Sequence, residues 1–465
     1  MGLWRRIAFV ATLFATPAWS QTGYGVTEDK GVWWFTRPDG SRMLSLGVDC
    51  IGPGPKVKDL KPGRPEYSAE QRGESEPAWR KNALQRLKAW GFNTIAGWSD
   101  IPLAEGGMPV TPVLHIQASM GSIWWDLWGS DYEGQVKRLA EQYTAPYRGN
   151  PNLIGYFLDN ELAWADEHLL NIALTWKGEA PGKRHLIDVL QTVYGRKFSR
   201  FKADFDTQAG DWSALASLTT TARKDGHGHR AMDAWTYEVA RRYYEVCSAA
   251  VRKEDPGKLI LGDRYRQYYP QAVARAARGV LDAVSTNYEA TTSEGWVSPC
   301  YFQTLHELSG LPILVGEFYA TARQNRSGVR NPGGVFTLND TQLQRAAAAA
   351  AQARQFAAFP SVIGWHWFQY NDEPTYGRGD GEEYNMGLVD IHDQPYTEIT
   401  ADGVSLVLCH YPFRTWRGMG EGWINLHGHC HGRLKPQPRQ FDVGVDVWEF
   451  RPVTLQTILG HRSRR

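Results

Sequence analysis

The chain is poor in cysteine, with five among 465 residues (Cys50, Cys247, Cys300, Cys409, Cys430). They are odd in number and far apart, which excludes the disulfide framework of a small secreted scaffold. One bridge, such as Cys50 to Cys300, is left open. An excess of charge of either sign is also missing: 51 basic side chains stand against 50 acidic ones, a formal charge of +1. No nucleic-acid partner or acidic lipid surface is therefore expected. Long apolar runs are lacking too. The only candidate follows Arg5 and Arg6 and is too short to span a bilayer. With Ala18-Trp19-Ser20 before Gln21, residues 1–20 read as a cleaved signal peptide, the alternative being a buried N-terminal helix. The expectation is a secreted or periplasmic protein with no membrane span after cleavage.

Glycine (47) and tryptophan (20) are plentiful. Part of the tryptophan is accounted for as core. The remainder suits a cleft that stacks flat, polar-edged ligands.

Short apolar runs alternate with helical patterns. Gly31–Asp49 reads as a hairpin turning at Pro38-Asp39-Gly40 and feeding a first strand, Met43–Asp49. A helix with Trp79, Ala83, Leu87 and Trp90 on one face stops at Gly91. Strands follow in FNTIAGW, VTPVLHI, NLIGYFLD, KLILGD, LDAVSTNY, LPILVGE and SVIGWHWFQ. Ser130 and Glu133 read as a capping box for a helix carrying Val136, Leu139, Ala140 and Tyr143 inward. An alanine-rich helix over Thr341–Ala358 precedes the last strand. Eight strands alternating with helices imply an α/β fold, a (β/α)8 TIM barrel. An open doubly wound sheet is the alternative, but no glycine-rich phosphate loop follows the first strand. The stretch from Trp164 to about Arg230 exceeds a barrel loop and is expected as a helical insertion over the mouth.

Barrel active sites lie at the carboxyl ends of the strands. Those ends carry Asp49, Trp98, His115, Asn160-Glu161, Asp263-Arg264, Asn287-Tyr288, Glu317 and the aromatic run of the eighth strand. Glu161 and Glu317 are the pair able to face each other across a cleft. Glycoside hydrolysis needs such a pair, one acid for the leaving oxygen and one carboxylate for the anomeric carbon. Asp159 is expected to accept hydrogen bonds behind them. Trp98, Trp124, Trp125, Trp128, Trp365, His366, Trp367 and Gln369 are candidates for holding sugar. Trp367 and Gln369 are preferred on strand alternation. Asp263 is a further candidate, and His115 reads equally as a substrate donor or a core histidine.

The stretches GYFLDNELAW, LPILVGEF and IGWHWFQYNDEPTYGRGDGEEYNMGLVDIHDQPY resemble glycoside hydrolase family 50, the β-agarases, over about residues 33–396. The resemblance implies a retaining enzyme cleaving β-galactosidic linkages of agarose or a related galactan, with no cofactor and no metal. It implies Glu161 as acid/base, Glu317 as nucleophile, Asn160 on the hydroxyl beside the anomeric carbon and Tyr288 orienting the nucleophile. Retaining chemistry asks for carboxyls about 5–5.5 Å apart. It also asks that Glu317 rest ionised and Glu161 protonated. The competing classes are a non-catalytic carbohydrate-binding barrel and a metal-dependent phosphoesterase.

The phosphoesterase enters through residues 402–457, which resemble the end of calcineurin-like metallophosphoesterases. That resemblance places ligands at His410, His429 and His431. The earlier carboxylate ligands do not occur in order, so a two-metal clamp is not expected. Residues 21–398 read as the hydrolase domain and 399–465 as a short β-rich fused tail.

Overall fold

The computed structural model describes residues 23–400 apart from 122, 124, 291 and 333–335. Beyond 400 it describes residues 406–408, 414, 424–428, 430–431, 433–435, 437, 439–448 and 458. The signal reading, Trp124, His410 and His429 lie outside the described residues.

The first elements form an antiparallel meander, Gly25–Asp29, Val32–Thr36 and Arg42–Met43. Its second turn lies where the sequence places one, and Asp39 accepts from the Ser41 N–H at 2.8 Å. An unforeseen first strand precedes it, joined through Lys30 and Gly31, both at positive φ. Phe35 and Met43 of the meander pack with Ile154, Phe157, Leu259, Leu314 and Ile363.

Parallel pairing then dominates. One six-stranded sheet runs Tyr265–Arg266, Val284–Asn287, Ile313–Phe318, Val362–Trp367, Ser45–Val48, Thr94–Ile95. Beyond Ile95, parallel bridges join Ile95 to Val110, Val110 to Leu153 and Val113 to Phe157. Gly155–Tyr156 in turn pairs with Leu259–Ile260. All eight strand positions read from the sequence therefore carry parallel pairing. The third holds isolated bridges in place of a ladder because Pro109 and Pro112 have no N–H to donate.

Helices fill most of the connections. Glu76–Ala89 buries Trp79, Ala83 and Leu87, and Gly91 at φ 84° ends the run. Tyr132–Thr144 corrects one expectation. Its N-cap is Asp131, no side chain caps it, and Glu133 pairs with Arg242 at 2.7 Å. A capping box does form at Thr341 and Gln344, opening Gln342–Ala358.

The insertion is helical as expected, with Asp166–Thr175, Pro181–Val193, Phe198–Asp204 and Trp212–Ser217 around a short antiparallel ribbon. It packs on the long helix His229–Glu254, where Trp235 stacks on Trp128 at 5.1 Å and meets Trp176 at 6.0 Å.

The tail segments Leu406–Leu408, Ile424–His427 and Gln440–Asp442 pair with one another in a parallel sheet. Among the described residues no cluster of three metal-ligating side chains occurs. His431 Nδ1 lies 2.6 Å from Asp446. Cys50, Cys247, Cys300 and Cys430 are all free thiols, so Cys50 and Cys300 form no bridge.

Candidate active site

At the carboxyl ends of the parallel strands lies a cleft of about 450 Å³. Asn160 and Glu161 enter it after the fourth strand, Glu317 and Tyr319 at the seventh, and Phe368 and Gln369 after the eighth. Cys50, Trp98, Arg266, Glu289, Phe336, Arg378, Asp380 and Glu382 complete the lining.

The centre is built on Asn287, the last residue of Val284–Asn287. Its Nδ2 lies 2.8 Å from Glu317 Oε1, 2.9 Å from Glu161 Oε1 and 3.1 Å from Asn160 Oδ1. Its Oδ1 accepts from Arg264 Nε at 3.2 Å. That last bond fixes the amide orientation, because only the nitrogen can donate to carboxylates. Two oxygens within reach of one nitrogen are at most about 6 Å apart, the short separation of a retaining pair rather than the wide one of an inverting pair.

Arg264 is fully buried beneath this centre. Its Nη2 donates to Glu317 at 3.0 Å and to the Gly316 carbonyl at 2.8 Å, and reaches Asp49 at 3.4 Å. The guanidinium lies 4.3 Å from the Trp98 ring centroid, a cation–π contact out of reach of water. Gly97 makes room for it, since a Cβ there would come within 2.4 Å of Arg264 Nη1.

Burial pushes Glu317 well above the ordinary carboxylate range, Arg264 pulls it back, and Glu161 and Asp49 push it further up. The surroundings thus oppose the ionised resting state expected for this carboxyl, and the Arg264 contact is what favours it. Asp49 is likewise pushed up to about 7 by burial, against the pull of Arg264. Glu161 is the more accessible partner, its side chain 28% exposed. It sits at φ 50°, and Cys50, Trp98, His115 and Arg264 also hold positive φ at their strand ends. Non-glycine residues gathered in that region mark places where side-chain placement overrides backbone comfort.

The structure brings Glu161, Glu317, Asn160 and Gln369 to one cleft. It does not bring Tyr288, Trp367, His115 or Asp263 to its walls. Tyr288 is buried among Tyr301, Phe302 and Phe356, and its hydroxyl accepts from the Ser298 N–H at 2.8 Å. Strand alternation explains this: Asn287 faces the cleft, so Tyr288 faces the helices. Trp367 also points outward, donating its indole N–H to the Met386 carbonyl at 2.9 Å. His366 takes the inward direction, packed over Gly47 and 2.9 Å from Ser45. His115 accepts the Trp98 indole N–H at 2.8 Å and so meets the cleft through Trp98. Asp263 is buried, accepting from Trp164 at 2.6 Å and Tyr244 at 2.8 Å, and burial pushes it up to about 6. Asp159 is the buried acceptor expected, taking bonds from Gln117 N, Ala118 N and the Tyr243 hydroxyl at 2.8–3.0 Å.

The sequence places Asn287 and Arg264 at strand ends without assigning them a role, and it does not single out the lining residues Arg266, Glu289, Tyr319, Arg378 and Glu382. Asn287 and Arg264 each adjoin a residue it preferred, Tyr288 and Asp263, so inward alternation from Glu317 was the available signal. Among the described residues, none between 165 and 230 lines the cleft.

A parallel α/β scaffold presenting two close carboxyls at its strand ends defines the general class. No known family model matches the chain. It is similar to Beta-agarase A of Vibrio sp. (strain JT0107), 29% identical over 363 residues, covering 70% of this chain and 35% of the relative. It is similar also to Beta-agarase B of the same strain, 28% identical over 361 residues, covering 70% and 36%. The chain thus spans about a third of the length of these curated relatives. Among solved structures it resembles the agarase AgWH50C, with a TM-score of 0.69 at 21% identity, covering 83% of this chain and 64% of that one. The structure of an exo-beta-agarase gives 0.68 at 20% identity, with 83% and 64% covered. The chain shares the fold of these agarase structures.

Proposed function

We propose that the chain is a retaining glycoside hydrolase that cleaves β-galactosidic linkages of agarose or a related galactan, on a (β/α)8 barrel. The observation that carries the reaction is the Asn287 amide within hydrogen-bond distance of both Glu161 and Glu317. The barrel is supported by parallel pairing at all eight strand positions and by the Ala283 N–H, which reaches the Ile260 carbonyl at 3.3 Å and joins the fifth strand to the sixth. The substrate class is supported by the likeness to Vibrio β-agarases.

Glu161, the more accessible carboxyl, donates its proton to the glycosidic oxygen. Glu317, braced by Arg264, attacks the anomeric carbon as the bond to the leaving sugar breaks. The resulting glycosyl ester is opened by water, which gives a proton to Glu161 as its oxygen bonds the anomeric carbon and the Glu317 carboxylate departs. Asn160, beside Glu161, donates to the neighbouring sugar hydroxyl. A bond that tightens as positive charge grows on the ring favours the transition state over the ground state.

Proton NMR of an agaro-oligosaccharide digest tests this reading. The first product should keep the β configuration, and Glu317→Gln should abolish turnover. An inverted first product, or near-native activity in that variant, would remove Glu317 as nucleophile. The apolar run after Arg5 and Arg6 supports export, checked by whether the mature protein from cells begins at Gln21. The tail is proposed as a fused phosphoesterase-like segment without an activity of its own.

A further inference from the structure

We propose that Arg266 serves the second half of the reaction, holding Glu161 as the carboxylate that takes a proton from the water opening the glycosyl ester on Glu317. This rests on the retaining glycoside hydrolase reading and assigns a positioning residue within it.

The carboxyl end of the fifth strand carries two guanidinium groups, Arg264 and Arg266, and each meets one carboxyl of the pair. Arg264 is fully buried and donates to Glu317 at 3.0 Å. Arg266 lies in the cleft wall, its side chain 59% exposed, with Nε 3.8 Å from Glu161 Oε2. The other oxygen of Glu161 accepts from Asn287 Nδ2 at 2.9 Å. Arg378, the second guanidinium in the lining, is engaged elsewhere, by Asp380 at 2.6 Å and by Glu373 and Glu382 at 3.3 Å each. Among the described residues Arg266 is thus the cation that reaches Glu161.

The two halves of the reaction ask opposite things of Glu161. It gives a proton to the leaving oxygen in the first and takes one from water in the second. Glu317 must instead be ionised from the outset until it attacks. The depths of the two arginines match these demands. An ion pair shut away from water interacts strongly, whereas one in contact with solvent is screened and weak. Arg264 therefore fixes the charge on Glu317, and Arg266 biases Glu161 without locking it. The acidic groups facing Glu161 are Glu317, Glu289 and the Tyr319 hydroxyl, which is hydrogen-bonded to Glu289. Before the first step the charges of Glu317 and Glu289 repel a carboxylate at Glu161 and so keep its proton in place. Once Glu317 is esterified its charge is gone. The attraction of Arg266 for the Glu161 carboxylate is then opposed by Glu289 alone.

The test uses an agaro-oligosaccharide carrying a dinitrophenyl group on its β-galactosyl anomeric oxygen. Dinitrophenolate leaves without needing a proton as Glu317 bonds the anomeric carbon. A burst of colour therefore reports the first step and the steady rate reports the second. In that second step the water oxygen bonds the anomeric carbon, its proton passes to Glu161 and the bond to Glu317 breaks. Arg266→Gln should leave the burst rate within about twofold of wild type and lower the steady rate by about three- to fivefold, the size of a solvent-exposed ion pair. Azide attacks without giving up a proton, so with azide present the variant's steady rate should match that of wild type. The loss should persist in a Glu289→Gln background, because Arg266 acts on Glu161 directly. Equal losses in burst and steady rate would overturn the proposal and assign Arg266 to sugar binding. So would an unchanged steady rate, a loss that azide does not restore, or one that vanishes with Glu289→Gln. No release of dinitrophenolate by wild type, or release without a burst, would overturn the retaining reading and this proposal with it.

Discussion

Arg264 Nη2 stands 3.0 Å from Glu317 Oε1 with the arginine fully shut away from solvent. A guanidinium so placed serves two ends. It offsets the burial that pushes Glu317 up, and it holds the carboxyl in the plane that also meets Asn287. Asp49 completes the arrangement from the first strand, so three strands contribute to one buried charge cluster. Breaking such a cluster from one side leaves uncompensated charge.

Arg264→Gln is therefore expected to destabilise the protein by about 3–5 kcal/mol. It should also raise the pH at which activity appears. The nucleophile must be ionised, and removing the cation lets burial push Glu317 higher, so the acidic limb of the kcat/KM profile moves to higher pH. Chemical denaturation and a pH–rate profile check both parts. An acidic limb that stays in place would separate Arg264 from the ionisation of Glu317.

Asn287→Ala should cut kcat by about a hundredfold or more, comparable to losing a donor that meets developing charge. KM should change less. A proportionate loss in kcat and rise in KM would indicate that Asn287 binds substrate without organising the carboxyl pair.

Tyr288 follows Asn287, which pairs with Glu317 across the sheet, and Tyr319 stands two residues after Glu317, but the two tyrosines serve different layers. Tyr288→Phe removes the acceptor of the Ser298 N–H, so it should cost about 1–2 kcal/mol of stability with kcat/KM within about twofold of wild type. Tyr319→Phe should lower kcat by about tenfold or more, because Tyr319 lines the cleft and its side chain hydrogen-bonds Glu289 there. Equal kinetic losses in both would return Tyr288 to the site.

Much of this was legible in the sequence because strands and carboxyls announce themselves locally. The eight strand positions, the Trp79–Ala83–Leu87 face and the Asn160-Glu161 and Glu317 termini all follow from period and punctuation. What escaped depends on contacts between distant segments. Whether Asn287 or Tyr288 faces inward is a matter of one-residue register, and the same shift moved Trp367 out and His366 in. Arg264 became central by reaching across to Glu317 and Asp49, which no local pattern records. The insertion's apolar faces show that something covers them, but only the fold names Trp235 and its helix as the cover.

Asp159 supplies a pH-dependent prediction. Burial pushes its carboxyl up to about 7, against the pull of the Ala118 and Gln117 N–H groups and the Tyr243 hydroxyl. The folded protein therefore holds this proton more tightly than the unfolded chain does, and stability falls as pH rises from about 4 to about 7, levelling off above. Asp159→Asn carries no such proton. Wild type should thus lose a few kcal/mol relative to the variant across that window. Denaturation of both proteins at pH 4.5 and 7.5 reads the difference, and a gap that stays constant with pH would mean the carboxyl is ionised throughout.

The tail gives the last prediction. Its segments Leu406–Leu408, Ile424–His427 and Gln440–Asp442 pair with one another, Gln440 also bridging Gln437, and Ile424, Leu426 and Ile458 form a cluster apart from the main core. Among the described residues the cleft takes none of its lining from beyond Glu382. The turn Thr397–Thr400 should be kept, because Ile399 packs against the main core and the Thr400 N–H bonds the Tyr396 carbonyl at 3.1 Å. A chain ending just after Thr400 should then hydrolyse agaro-oligosaccharides with kcat/KM within about twofold of the full chain. In the full chain, replacing His429 and His431 with alanine should alter neither activity nor metal content, since His431 is engaged by Asp446. Loss of hydrolysis on truncation, or stoichiometric metal with phosphatase turnover lost in the histidine variants, would make the tail a working part of the molecule.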